Sequence, residues 1–271
     1  MLHKVVQLGG KSYFWLEKTN VVSMIQEYQV SGFRVREYEE LESTNTEAER
    51  VGWSELEDKM VILTYRQTQG RGQVGNHWES EPGKNISMTV VFKPRELSAG
   101  QQFAVSMVIA LGACDFISRY VNGCSVKWPN DIYVGDRKIS GILIEHSIMG
   151  RYVGGSLCGI GVNINQEQFL SDAPNPVSLF QLLGRELPLQ EVLEELLECI
   201  GKRYEQIHRY AELENDFLRH MYRSTGIYDF EDERGIFRAS VGGIDEYGQL
   251  ILKDTDGRER VYAFKEVRYV C

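Results

Sequence analysis

Five short segments of this chain carry residue types that can hold anions, amides and a divalent cation. The first is Glu42-Ser43-Thr44-Asn45. There a strand end runs into a helix start, which leaves backbone donors and hydroxyls uncovered; as a plain cap it needs no further role. The second runs from Gln67 through Gly70-Arg71-Gly72-Gln73-Val74-Gly75 to Trp78 and Gly83. Glycines free a backbone to wrap an anion, and Arg71 adds a permanent charge with planar donors. A long loop in a compact domain is most often functional. The third is Lys127-Trp128-Pro129-Asn130-Asp131. Pro129 stiffens this junction, and the Asp131 carboxylate suits Mg²⁺ beside a phosphate. An Asn-Asp pair also serves simply as a turn. The fourth spans Arg137 to Glu145, RKISGILIE. Its functional reading sets the Lys138 ammonium beside a carboxylate, with small Ser140 and Gly141 following. Its plain reading is a lysine stem lying along the strand rim and a solvated Glu145. The fifth is Gly159 to Asn165, GIGVNIN. Two glycines in a strand indicate close approach by a ligand or another backbone. Asn163 and Asn165 stand two apart and share one face.

Two familiar nucleotide motifs fail on inspection. Gly70 to Gly75 fits G-x-G-x-x-G after a strand, but Pro82 and Gly83 occupy the place where a dinucleotide fold needs a helix. The stretch about 20 residues on, MTVVFKP, supplies no acidic residue for a ribose. Gly9-Gly10-Lys11-Ser12 lacks the first glycine of a P-loop, because Val5 stands there.

The elements that must position these segments show in the hydrophobic pattern. FRVREYEEL from Phe33 alternates as a strand. Thr44 and Glu47 have capping-box spacing, which predicts a helix start near Thr44. MVILTY, Met60 to Tyr65, reads as a buried strand, and NISMTVVFKP as another, stopped by Pro94. Phe103, Met107, Leu111, Cys114, Ile117 and Val121 predict a helix with one buried stripe, capped by Ser98. SVKW, DIYV, KISGILIE and YVGGSLCGIGVNIN read as successive strands with a turn at Gly135-Asp136. Pro188 opens a helical stretch to about Tyr222. From Gly235 the pattern becomes short strands with turns at Gly242-Gly243, Tyr247-Gly248 and Asp256-Gly257, a small β-barrel or sheet. Met1 to Gly32 holds short apolar runs and a helix candidate at Val21 to Tyr28.

Composition narrows the classes. A chain of 271 residues suits one large domain, or one large and one small. A net charge of −9 disfavours a nucleic-acid binder that works through a broad basic surface. The five cysteines are scattered with no C-x-x-C pair, as expected of buried apolar side chains in a reducing compartment. The start shows no signal-peptide core, and no stretch approaches the roughly 20 apolar residues of a membrane helix, so the expected location is cytoplasmic and away from membranes.

ESTN, QTQGRGQVGNHW, KWPNDI, KISGILIE and GIGVNIN, in that order and followed by a small β region, resemble the biotin protein ligases, the biotin–[acetyl-CoA-carboxylase] ligases. The resemblance runs from about Arg34 to Val270. It implies an α+β fold: a mixed β-sheet flanked by helices, related to class II tRNA synthetases and lipoate ligases, with a small SH3-like β-barrel at the C-terminus. The implied division is an N-terminal segment 1–33, a catalytic domain 34–225 and a C-terminal domain 226–271. The implied reaction joins biotin to ATP as biotinyl-AMP and passes biotin to a lysine of a carboxylase's biotin carboxyl carrier domain. By motif, Ser43, Thr44, Asn45 and Gln67 would hold the ureido end of biotin. Gly70, Arg71 and Gly72 would close over its carboxylate and the α-phosphate. Lys138 would meet the acyl-phosphate carbonyl, and Gly141 and Gly159 would line the biotin pocket. Asn130, Asn163 and Trp78 would serve the nucleotide, and Asp131 its Mg²⁺. Many relatives carry a second arginine where this chain has Gln73, which implies weaker ATP binding. A lipoate or octanoate ligase of the related fold remains an alternative, as does a biotin-responsive repressor, for which residues 1–32 are short and not basic. A homodimer is compatible with the sequence.

Overall fold

The computed structural model describes residues 23–73, 76–171 and 173–270, together with the backbone of two short N-terminal strands. In chain order the elements are β1 (Val5–Leu8), β2 (Lys11–Phe14), β3 (Met24–Val30), β4 (Phe33–Tyr38), α1 (Thr44–Val51), β5 (Met60–Thr64), β6 (Ile86–Phe92), α2 (Phe103–Ser118), β7 (Cys124–Lys127), β8 (Asp131–Val134), β9 (Arg137–Met149) and β10 (Tyr152–Val162). Then follow α3 (Leu179–Leu183), α4 (Leu189–Tyr204), α5 (Tyr210–His220), β11 (Tyr228–Asp232), β12 (Gly235–Ile244), β13 (Leu250–Asp254), β14 (Glu259–Tyr262) and β15 (Arg268–Tyr269).

Eight strands form one mixed sheet in the order β3-β4-β5-β6-β10-β9-β8-β7. Only β4 and β5, joined through α1, run parallel. Strands β5 and β6 are buried on both faces, which fits their unbroken apolar sequences. One face packs on α2, α4 and α5. The other holds a smaller cluster of Leu41, Ala48, Leu56, Ile62 and Leu157 under α1.

Several local expectations change. Residues 24–30 form the edge strand β3 rather than a helix, because Tyr28 and its neighbours pair with β4; Val21 and Val22 lie outside the described residues. The Thr44–Glu47 capping box does not form: Ser43 holds the N-cap position without a side-chain bond, and Glu47 pairs with Arg50 instead. The described capping box is at α3, between Ser178 and Gln181. Ser98 precedes a short 3-10 turn, makes no cap bond, and α2 starts only at Phe103. The stretch from Pro188 to Tyr222 divides into α4 and α5.

Helix α2 is buried throughout from Phe103 to Cys114 rather than along one stripe, because the sheet covers one side and α4 and α5 the other. By length and composition Ala99–Ser118 could cross a membrane, but it is mostly buried as this core helix. Arg203 of α4 fastens all three helices, with Nε 2.6 Å from Asp115 and Nη1 2.7 Å from Asp216.

The C-terminal strands form an antiparallel sheet, β14-β13-β12-β11-β15, whose outer strands do not pair with each other among the described residues. The expected small barrel is therefore an open sheet. Gly242-Gly243 is a bulge within β12 rather than a turn, while Tyr247-Gly248 and Asp256-Gly257 turn as expected. This sheet docks beside the KWPND junction: Trp128 Nε1 donates to the Gly248 carbonyl at 2.8 Å, and Phe264 packs near the Trp128 ring.

Helices α2 and α4 approach closely at Gly112, where an added Cβ would lie 2.8 Å from the Ile200 Cα. Gly112→Ala would gain up to about 1 kcal/mol of helix propensity. It would force the helices apart at a cost of about 1–3 kcal/mol. Net destabilisation by urea unfolding is the expected result, and a gain in stability would show that the helices yield freely.

Candidate functional site

The predicted segments converge on one cavity of about 120 Å³ over the middle of the sheet. Its floor is made by glycine. In the register of β9, β10 and β6, Gly141, Gly161 and Ser87 stand side by side, as do Leu143, Gly159 and Thr89. A Cβ on Gly159 would overlap the Asn45 carboxamide, and one on Gly161 would overlap the Trp78 indole. The backbone is thus left bare so that other groups can lie directly on it.

The start of α1 forms one wall. The crossover from β4 leaves Ser43, Thr44 and Asn45 facing inward, each buried yet lining the cavity. Gln67 fixes this turn, since its Oε1 accepts the Thr44 N–H at 3.0 Å. From β6 the Thr89 hydroxyl reaches Asn45 Oδ1 at 2.6 Å and Thr44 Oγ1 at 2.9 Å.

Between β5 and β6 the glycine loop folds as a small hairpin over the cavity. Arg71 bridges His77, the Trp78 N–H donates to the Gly70 carbonyl, and the Gly72 N–H donates to the Asn76 carbonyl, both at 2.9 Å. Gly70 has no room for a side chain beneath the Trp78 carbonyl. Val74 and Gly75, at the tip, lie outside the described residues. The indole of Trp78 rests on Gly141 and Gly161, and its Nε1 is buried with no hydrogen-bond partner.

Two cations face this space. Lys138 Nζ lies 2.7 Å from Asp131 Oδ2 and 5.8 Å from the centre of the Trp78 ring. Arg71 lies 3.1 Å from Glu49 and 2.9 Å from Glu145. Its guanidinium is held more firmly protonated than usual, first by the hydrogen bond with Glu49. An orphan N–H, bare backbone, hydroxyls and two partly exposed cations suit a ligand with an amide-like head and anionic groups.

Most predicted residues meet here: Ser43, Thr44, Asn45, Gln67, Arg71, Gly72, Trp78, Asp131, Lys138, Gly141 and Gly159 line the cavity, with Gly70 buried just behind. Two do not. Asn130 faces an adjoining groove with Trp128, His146 and Phe264, its Oδ1 buried and unpaired. Asn163 is not among the residues that line the cavity; its Nδ2 donates to the Val177 carbonyl at 3.1 Å, and its Oδ1 is buried without a partner. Asn165 likewise donates to the Leu187 carbonyl. The groove and cavity share Gln73 and Leu143. Sequence reasoning missed Thr89, whose role depends on strand register, and Gly161, which stood inside a quoted motif. Among the described residues no three His, Cys, Asp or Glu side chains form a metal cluster. Asp131 alone fits Mg²⁺ in its usual protein setting, where one or two carboxylates act with substrate phosphates.

Comparison with known proteins follows the same line. The model of the biotin/lipoate A/B protein ligase family matches residues 38–163. A biotin--[acetyl-CoA-carboxylase] ligase of Paracoccus denitrificans is 31% identical over 241 residues, 82% of this chain and 95% of that one. The bifunctional ligase/repressor BirA of Bacillus subtilis is 26% identical over 244 residues, 87% of this chain and 74% of the relative. The structure of a biotin protein ligase from Aquifex aeolicus, in complex with biotin and ATP, shares the fold with a TM-score of 0.72 at 22% identity. That match covers 87% of this chain and 99% of the other.

The glycine floor can be tested on its own. In Gly161→Ala the atoms nearest the new methyl belong to the Trp78 indole, a side chain that can move, so the melting temperature should fall by no more than about 4 °C, the shift of roughly 1 kcal/mol or less. The Trp78 contribution to fluorescence, taken against Trp78→Phe, should shift as the ring lifts. An unshifted emission would show that the indole does not rest on β10.

Proposed function

The chain belongs to the biotin protein ligases, and from that premise we propose how its own residues carry the reaction. It is an ATP-dependent biotin–[acetyl-CoA-carboxylase] ligase. In the first step an oxygen of the biotin carboxylate attacks the α-phosphorus of ATP, a P–O bond breaks, and pyrophosphate leaves. In the second, a lysine amine of the acceptor attacks the acyl carbon, loses a proton, and AMP leaves. The observation that carries this reading is the shared cavity: Arg71 and Lys138 border the same space as the amide-binding wall of Ser43, Thr44, Asn45 and Gln67.

Bringing two anions together is the physical obstacle to the first step. Arg71 and Lys138 offset that repulsion and stabilise charge as it builds on the transferring oxygens. Both are paired with carboxylates in this state, so the incoming phosphates exchange one set of anionic partners for another. Ser43, Thr44 and Asn45 bind the ureido group, with Thr89 orienting the Asn45 amide. Gly141 and Gly159 line the space for the bicyclic ring, beneath the Trp78 indole and the Asn45 amide. Asp131 would hold Mg²⁺, which when bound neutralises phosphate charge. The unpaired Asn130 Oδ1 offers an acceptor to an exocyclic amine in the adjoining groove. Asn163 acts one layer away, by holding the segment at Val177. The hairpin over the cavity keeps water from the mixed anhydride. The acceptor is a carrier domain of a biotin-dependent carboxylase.

Lys138→Ala should slow biotin-dependent pyrophosphate release by about 10²–10³-fold, the usual loss for one donor to a developing oxyanion. A near-normal rate would leave Lys138 as a partner of Asp131 alone. Arg71→Ala should let biotinyl-AMP escape about tenfold faster, the value of one charge-assisted hydrogen bond; unchanged retention removes Arg71 from that role. Intact mass of a carboxylase carrier domain after incubation with biotin, ATP and Mg²⁺ should rise by one biotinyl group. A rise only with lipoate would reassign the substrate.

A further inference from the structure

Glu145 stands just beyond the cavity lining, on the same face of β9 as Gly141 and Leu143 and bonded to Asn45 and Arg71, which do line it. One carboxylate oxygen, Oε1, takes Arg71 Nη2 at 2.9 Å. The other, Oε2, accepts Asn45 Nδ2 at 2.8 Å. A single side chain therefore joins the cation of the glycine hairpin to the buried amide at the start of α1. We propose that Glu145 is a positioning residue for the ligase reaction, holding Arg71 at the cavity mouth while fixing which end of the Asn45 amide faces the ligand. The proposal rests on the ligase reading given above.

Two features of the network support this role. A carboxylate can only accept, so Asn45 must turn its NH₂ toward Glu145 and its Oδ1 toward the Thr89 hydroxyl. Asn45 is 2% exposed and rests on Gly159, so its amide is confined from below as well. At the other end the clamp is weak enough to release. The side chains of Arg71, Glu49 and Glu145 are between 35% and 48% exposed, so both ion pairs are partly wet and screened. Two carboxylates sharing one guanidinium leave a net negative charge there. An arriving phosphate can take the place of Glu49 without breaking a buried bond. The empty site thus keeps its guanidinium aimed along the wall rather than into solvent, and Glu145 keeps its hold through a second donor of the guanidinium when the anions arrive.

The test uses the full chain and two variants that divide the two bonds. Glu145→Gln keeps a carbonyl for the Asn45 amide but loses the attraction for Arg71. Glu145→Ala loses both. In the ligand-free protein, tryptic cleavage after Arg71 should quicken by about two- to fivefold in both variants, the value of an exposed ion pair. With biotin and ATP, Glu145→Gln should release biotinyl-AMP faster by the same factor at a nearly unchanged KM for biotin, while Glu145→Ala should also raise that KM. The escape rate of Arg71→Ala combined with Glu145→Gln should match that of Arg71→Ala alone, because both remove one contact. Cleavage after Arg71 at the wild-type rate in both variants would overturn the proposal. So would additive escape rates, or equal KM changes in both variants with no change in escape, which mark a purely structural side chain. A wild-type chain that releases no pyrophosphate from biotin and ATP would refute the ligase reading instead, and the tryptic comparison would still decide whether Glu145 holds Arg71.

Discussion

The arrangement around the cavity follows from the need to keep two positive charges close to one small space when no anion is present. A guanidinium and an ammonium left there alone would repel each other and swing toward water. Each is instead held by acidic partners: Arg71 by Glu49 and Glu145, and Lys138 by Asp131. The acids stand on α1, β8 and β9, three elements that meet only because the sheet order carries β9 and β10 to the middle and brings α1 across their face. The fold sets the spacing of charge through these acid pairs.

The same constraint explains the pairing of a rigid floor with a thin cover. The floor belongs to strands that are hydrogen-bonded on both sides and backed by α2, a helix with almost no exposed surface. The cover is a hairpin joined to the turn before α1 by backbone bonds from Thr68 to Leu41 and from Gln69 to Glu42, and farther out by a partly exposed ion-pair cluster. Large differences in stability between neighbouring parts of a protein are what allow one part to open while the other keeps its shape.

Much of this was legible in the sequence because the motifs carry their own local geometry. ESTN sits where a strand runs into a helix, and the glycine loop lacks the helix of a dinucleotide fold; both readings hold in the structure. The residues that escaped are those whose placement depends on long-range register. Thr89 looks like any β-branched strand residue until β6 is set beside β10, with Gly159 its partner. Glu145 ends an apolar run and reads as a solvated strand end; only the hairpin folding back gives it two partners. Asn163 and Asn165 read as neighbours on one strand face, but β10 ends at Val162 and their NH₂ groups donate to the carbonyls of Val177 and Leu187. The residue pattern leaves the choice between barrel and sheet open at the C-terminus, because alternation and turns are the same in an open sheet and a closed one; the barrel came from the resemblance alone. Residues 24–30 were misjudged because edge-strand pairing, rather than local propensity, decides their conformation.

The bare strand centres at Gly141, Gly159 and Gly161 define the binding space by omission. A hollow formed that way is already as deep as a polypeptide allows. Any single substitution there makes it shallower, and none can enlarge it. Acceptance of a bulkier acid must therefore arise at the walls, from Leu143 or the start of α1, while discrimination against one can arise from a single added methyl group.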